Sequence, residues 1–275
     1  MEVINGHKCF YIHRNNNEGA DTVIFMNGVL NSAYSWKEQA QMAKTLGLNT
    51  LRYDCRGQWM SEVTAESYSF ELLAQDLAAL MDHCYIEKAH LLGISYGCFI
   101  SQKFAAMFPK RVQSILAMNT TPVLNAKQRF TLELWCKLNQ MNEPELYLES
   151  MFPLLYSNDF FEHSKEKLEE ARHFLYSGLE HVPTFSAGQY LLNKTAINDL
   201  AGEGLIPDAK NIKCPTHIVT SEFDALYPPE YSSLLAEHIE GSELTVLPGL
   251  GHAITREAPD VADRLMLDHL KKYAL

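Results

Sequence analysis

Leu91-Leu92-Gly93-Ile94-Ser95-Tyr96-Gly97-Cys98 is the stretch whose reading decides the fold. An apolar run, Ala89 to Leu92, leads into Gly-x-Ser-x-Gly, and a helix-compatible segment, Cys98 to Phe108, follows. Strand, sharp turn and helix in that order are the setting in which a serine hydroxyl is lifted above a sheet edge. The glycines fit this geometry, because a side chain at either flank would collide with the neighbouring strand or helix. A glycine-bounded turn with an ordinary serine is the competing reading, so the rest of the chain has to supply partners for the hydroxyl.

Outward from this stretch, strands and helices alternate. Cys9 to His13 reads as a short β-region, followed by the turn-rich Asn15-Asn16-Asn17-Glu18-Gly19. Thr22 to Met26 is a continuous apolar, β-branched run, as expected for a strand buried on both faces. It ends in Asn27-Gly28-Val29-Leu30, and Trp36, Ala40, Ala43 and Leu46 then share one helical face. Leu48 to Tyr53 is the next strand. Phe70 to Cys84 is an amphipathic helix, with Leu73, Leu77 and Leu80 on one face and Ser69 as its N-cap. Gln113 to Met118, Thr216 to Thr220 and Glu243 to Leu247 are further strands, and Pro229 to Ile239 and Pro259 to Tyr273 further helices. The fold class is therefore α/β, a mostly parallel sheet with helices on both faces. From about Asn125 to Leu205 the periodicity is helical throughout, which predicts a helical cap inserted at about 122–206 into a single domain.

Composition narrows the partners. The chain has 275 residues, enough to bury a sizeable core, and a net charge of −11 from 23 basic and 34 acidic residues. That balance argues against nucleic acid or an anionic membrane surface as the main partner. Six cysteines lie far apart with no C-x-x-C pair, which suits neither a zinc site nor a disulfide framework. No apolar stretch reaches membrane-spanning length, and the N-terminus lacks a signal pattern, so a cytoplasmic protein without membrane insertion is expected.

Serine is a poor nucleophile at neutral pH and needs an adjacent base that is itself held by an acid. In this architecture both follow the serine, acid before base, each just after a strand. His252, in the loop Gly249-Leu250-Gly251-His252, and Asp224, after Thr216 to Thr220, meet that order; Glu222 is the alternative acid. The negative charge of an acyl intermediate requires preorganised N–H donors. Tyr96 is one candidate, and Val29 the other, with Leu30 as its alternative. Asn27 and Leu30 in the loop, and Trp135, Phe152 and Phe185 in the cap, are candidate substrate-binding residues. No metal or organic cofactor is expected.

Taken together these residues resemble the α/β-hydrolase superfamily over the whole chain apart from the cap. Tyr53-Asp54-Cys55-Arg56-Gly57-Gln58-Trp59-Met60-Ser61 is similar to the family's D-x-R-G-x-G-x-S turn, and Ile212-Lys213-Cys214-Pro215-Thr216 precedes the acid-bearing strand as in many members. Two departures stand out: Asn27-Gly28 replaces His-Gly at the oxyanion loop, and Trp59 replaces the second glycine of the turn, bringing an indole near the entrance or the core. A narrower resemblance, carried by Asn27-Gly28, Phe185-Ser186-Ala187-Gly188-Gln189-Tyr190 and Asn198-Asp199, is to the 3-hydroxyacyl transferases of rhamnolipid precursor synthesis.

The resemblance implies a serine hydrolase that cleaves a small-molecule ester or thioester with an apolar acyl group through an acyl-serine. Transfer of a 3-hydroxyacyl chain from an acyl carrier thioester to an alcohol is the first alternative. A binding protein for a small apolar ligand, with an idle triad, is the second. Acyl chain length and oligomeric state are not encoded in readable form.

Overall fold

The computed structural model describes residues 1–15 and 17–274; Asn16, within the expected turn, and Leu275 lie outside the described residues. The chain opens with a hairpin of β1 (Glu2–Ile4) and β2 (His7–Cys9), which pair antiparallel. Its turn is Asn5-Gly6, with φ of 43° and 80°, the two consecutive left-handed residues that a tight hairpin requires. The sequence reading of one strand from Cys9 to His13 is therefore corrected. The chain breaks at Phe10, whose N–H donates to Ser61 Oγ at 2.9 Å, and β3 (Tyr11–Arg14) starts afresh.

Then follow β4 (Thr22–Met26), a 3₁₀ turn at Ala33–Trp36, α1 (Lys37–Thr45), β5 (Asn49–Tyr53), α2 (Phe70–His83), β6 (Ala89–Ile94), α3 (Tyr96–Met107) and β7 (Val112–Met118). The helical insertion holds α4 (Ala126–Gln140), α5 (Pro144–Leu155), α6 (Asn158–His163), α7 (Lys165–Leu179), α8 (Phe185–Asp199) and α9 (Ile206–Ala209). The chain closes with β8 (Thr216–Ser221), α10 (Pro229–His238), β9 (Glu243–Leu247), α11 (Ile254–Glu257) and α12 (Pro259–Tyr273). Seven strands form one sheet in the order β3-β5-β4-β6-β7-β8-β9, parallel except for β3.

Alternation along the strands divides the core. Val23, Phe25, Leu92, Ile94, Leu116 and Met118 pack on one face against Trp36, Ala40 and Ala43 near α1 and Ala262, Met266 and Leu270 of α12. Ile24, Met26, Leu51, Leu91, Ile115 and Ile218 pack on the other against α2, α3 and α10. That second core runs on without a break into the insertion through Trp135, Tyr147, Phe152, Phe185 and Leu192. Ser69 caps α2 as expected, its hydroxyl accepting from Leu72 N–H at 3.1 Å. Arg56 ties the turn after β5 to α2 through Asp76 at 2.8 Å. Among the described residues no helix is long and apolar enough to cross a membrane.

At the opposite end of the sheet from Ser95, buried histidines share one hydroxyl. His90 Nδ1 lies 2.7 Å and His269 Nε2 2.8 Å from Ser114 Oγ. Burial, with His217 and His90 nearby, holds the His269 imidazole down to about 3. Folded His269 thus stays neutral where the unfolded chain, titrating near about 6.5, binds a proton, so this contribution is present above about 6.5 and is lost as pH falls through that value. Relative to His269→Gln, which keeps a donor for Ser114, the wild type is expected to lose about 1.4 kcal/mol between about pH 7.5 and about pH 5.5. Urea unfolding of both proteins at the two pH values measures this; parallel pH dependence would refute it.

Candidate active site

Ser95 stands between the end of β6 and the start of α3 at φ 54°, ψ −119°, a backbone conformation that costs an L-residue on the order of 1–3 kcal/mol. Its neighbours explain why the turn holds. A Cβ on Gly97 would lie 2.3 Å from the Met26 carbonyl oxygen, and one on Gly93 2.9 Å from Met26 Cβ. The turn is pressed against β4, and only glycine fits on either side. Ser95 N–H donates to Met118 O at 2.9 Å, fixing the turn to β7 as well.

Two later loops converge on the same place. His252 Nδ1 lies 2.7 Å from Asp224 Oδ2, and because a carboxylate only accepts, Nδ1 donates; in the neutral imidazole this tautomer leaves Nε2 as the acceptor. Asp224 is buried, and its Oδ1 accepts from the N–H groups of Leu226 at 2.9 Å and Tyr227 at 2.7 Å. The Tyr227 ring meets the imidazole edge-on at 5.4 Å. The His252 loop is anchored from two sides. Asn119 Nδ2 donates to His252 O at 2.6 Å, and Glu257 accepts from Gly251 N–H at 3.1 Å and from the Ser157 hydroxyl.

Ser95 and His252 face one cavity of about 80 Å³. Its walls are Gly28, Val29 and Leu30 from the loop after β4, Met151, Leu155 and Leu175 from the helical insertion, and Leu226. Among the described residues no acceptor engages the N–H of Val29 or of Tyr96. Phe174 and Arg256 stand at the mouth, the guanidinium 4.7 Å from the ring centre, where the cavity meets a wider surface cleft.

A family model for the alpha/beta hydrolase fold matches residues 21–259. The chain belongs to the α/β-hydrolase family. A relative from Pantoea ananatis (strain LMG 20103) named "Putative carbamate hydrolase RutD" is 26% identical over 259 residues, spanning 94% of this chain and 91% of its own. Among solved structures, MGS-M2, an α/β-hydrolase enzyme from a Medee basin deep-sea metagenome library, matches with a TM-score of 0.90 at 27% identity, over 100% of this chain and 98% of its own. The enol-lactonase from Burkholderia xenovorans LB400 matches with a TM-score of 0.86 at 22% identity, over 98% and 99%, a likeness of fold. This α/β-hydrolase is a hydrolase enzyme.

The structure of this α/β-hydrolase brings Ser95, His252, Val29 and Leu30 to the cavity, with Asp224 behind the imidazole. Glu222 points elsewhere: it is exposed and accepts from Gly249 N–H at 2.9 Å. Trp135, Phe152 and Phe185 do not line the cavity, where the insertion's aromatics are instead Tyr156 and Phe174. Phe185 packs on Trp59 at 5.0 Å, Trp135 on Tyr147 at 6.0 Å and Phe152 on Tyr156 at 5.7 Å, so their rings fill the interior of the insertion. Asn27 is also buried away from it, donating to Tyr53 O at 2.8 Å and accepting from Trp36 Nε1 at 2.8 Å. Trp59, at the position of the family's second glycine, keeps a left-handed φ of 41°. The buried Asn119, Gln58 and Gln189 and the half-buried Glu257 escape sequence reading, because nothing local marks a polar residue for a long-range hydrogen bond.

The strain at Ser95 is directly measurable. Ser95→Gly removes it and Ser95→Ala keeps it, while both lose the hydroxyl. Allowing for glycine's extra unfolded entropy, Ser95→Gly is expected to be more stable than Ser95→Ala by about 1 kcal/mol in thermal or urea unfolding. A less stable Ser95→Gly would show that the turn carries no strain.

Proposed function

We propose that this α/β-hydrolase cleaves esters or thioesters of short apolar acyl groups through an acyl-enzyme on Ser95. The observation that carries the reading is the meeting of Ser95 with the His252–Asp224 pair at one small apolar cavity. His252 Nε2 takes the proton from Ser95 Oγ as that oxygen attacks the acyl carbon. The oxyanion that forms is held by the N–H groups of Val29 and Tyr96. The proton passes from Nε2 to the leaving oxygen or sulfur, and water resolves the acyl-serine by the same route. Asp224 fixes the imidazole tautomer and stabilises the transient imidazolium; the two backbone N–H groups on Oδ1 keep its other oxygen aimed.

The apolar walls beside Ser95 support an apolar acyl group, and the narrowness of the cavity before it meets the wider cleft supports a short one next to the serine. Hydrolysis of a carbamate is a second reading, favoured by the name of the relatives RutD and by the same small cavity.

With p-nitrophenyl esters of graded length, kcat/KM is expected to fall about tenfold or more from acetyl or butyryl to octanoyl. A rise with chain length would contradict the short-acyl assignment, and faster turnover of a p-nitrophenyl carbamate would move the assignment to the second reading. Ser95→Ala is expected to lose about a thousandfold or more in kcat at unchanged fold. Asp224→Asn is expected to lose about a hundredfold or more, and Glu222→Gln to stay within about twofold. The reverse ranking of the two carboxylates would transfer the orienting role to Glu222.

A further inference from the structure

Three consecutive carbonyls of the loop after β4 are each held by a side-chain N–H from a distant segment. Gln58 Nε2 donates to Gly28 O at 2.8 Å and Val29 O at 3.3 Å. Gln189 Nε2 donates to Val29 O at 3.1 Å, and Trp59 Nε1 to Leu30 O at 3.1 Å. A peptide group is planar and trans, so its C=O and N–H point to opposite sides. The carbonyl of Gly28 and the N–H of Val29 belong to one such plane, and the carbonyl of Val29 and the N–H of Leu30 to the next. Fixing these two carbonyls outward therefore fixes the N–H groups of Val29 and Leu30 on the cavity side.

Neither glutamine is free to turn. Gln58 is fully buried, and its Oε1 accepts from Asn27 Nδ2 at 3.1 Å and Cys55 N–H at 3.3 Å, which commits Nε2 to the loop. Gln189 lies on α8 of the helical insertion. Its Oε1 accepts from the Tyr147 hydroxyl at 3.0 Å, and the Tyr147 hydroxyl oxygen in turn accepts from Asn193 Nδ2 at 3.2 Å. Gly188 allows this reach. A Cβ there would sit 2.0 Å from Gly57 O, so α8 lies directly on the turn that carries Gln58 and Trp59. Buried amide networks of this kind are costly unless every member is satisfied, and three of these donors, on Gln58, Gln189 and Trp59, end on the loop.

We propose that Gln58 from the core and Gln189 from the cap are positioning residues that clamp the peptides on either side of Val29 and so aim the N–H groups of Val29 and Leu30 at the developing oxyanion. The proposal rests on the acyl-serine reading above. It adds that the oxyanion site is complete only when the cap is seated, because one jaw of the clamp belongs to α8.

The test uses the full chain with p-nitrophenyl acetate, and a methyl trifluoromethyl ketone as the analogue whose adduct carries the oxyanion. Gln189→Leu keeps the volume and removes the donor. It is expected to lower kcat about 10- to 100-fold with KM within about threefold, and to weaken the ketone by the same factor as kcat/KM. Tyr147→Phe, which frees Oε1 of Gln189, is expected to act in the same direction, more weakly and not additively with Gln189→Leu. Gln58→Leu is expected to match or exceed Gln189→Leu. If it fails to fold, Gln189→Leu and the Tyr147 cycle decide. A Gln189→Leu enzyme with unchanged kcat, or one that loses kcat, KM and thermal stability together while ketone affinity holds, would overturn the clamp. Ser95→Ala separates the two levels: if it stays active the acyl-serine reading fails and the clamp with it, whereas an inactive Ser95→Ala beside an active Gln189→Leu sinks the clamp alone.

Discussion

The close contact between the end of β4 and the turn after β6 is the constraint on which the rest of the structure depends. The Met26 backbone presses so near to Gly97 that no side chain fits there, and Gly93 is nearly as confined. That contact forces Ser95 into its left-handed conformation, and it also sets the loop from Gly28 to Leu30 across the cavity from Ser95. One packing decision thus places both the Ser95 hydroxyl and the backbone of Gly28 to Leu30 at the same cavity. β7 and β8 then deliver Asn119 and Asp224, and Asn119 holds the loop that carries His252.

The sheet was largely legible because its inner strands, buried on both faces, are apolar runs. Thr22–Met26 and the mostly exposed edge strand Glu243–Leu247 occupy the expected residues, and β6 and β7 extend the expected strands by one or two residues. The order Ser95, Asp224, His252 was legible for a similar reason, since each follows a strand and the parallel sheet brings those ends together. What was hidden depends on contacts between remote segments. Gln189 and Val29 are 160 residues apart, and no local pattern marks that glutamine as buried. Helical periodicity likewise identifies the apolar face of a cap helix without saying what it covers. Trp135, Phe152 and Phe185 fill the insertion, while Met151, Leu155 and Leu175 reach the cavity. The Asn5-Gly6 hairpin is a different case: its signal was present, but the flanking strands are only three residues each.

The departures from the family pattern belong to one arrangement. Asn27, at the position of the histidine in the His-Gly pattern of the family resemblance, accepts from Trp36 and donates to Tyr53, Asp54 and Gln58. Trp59, at the position of that pattern's second glycine, donates to Leu30 and packs on Phe185. Both substitutions build contacts onto the loop after β4 from below, while Gln189 meets it from the cap. The loop's rigidity is supplied by side chains from the β5 turn and α8 and not by its own short hydrogen-bonded turn alone.

The central claim, that Ser95 carries the acyl group, is tested most directly by trapping the intermediate. The protein is mixed with p-nitrophenyl acetate, quenched in acid before deacylation, and digested for mass spectrometry. The account predicts one acetyl group on the peptide containing Ser95, formed with a burst of p-nitrophenol and absent in Ser95→Ala. Turnover by the wild type with no acetylated peptide, or acetylation of a residue other than Ser95, would contradict it.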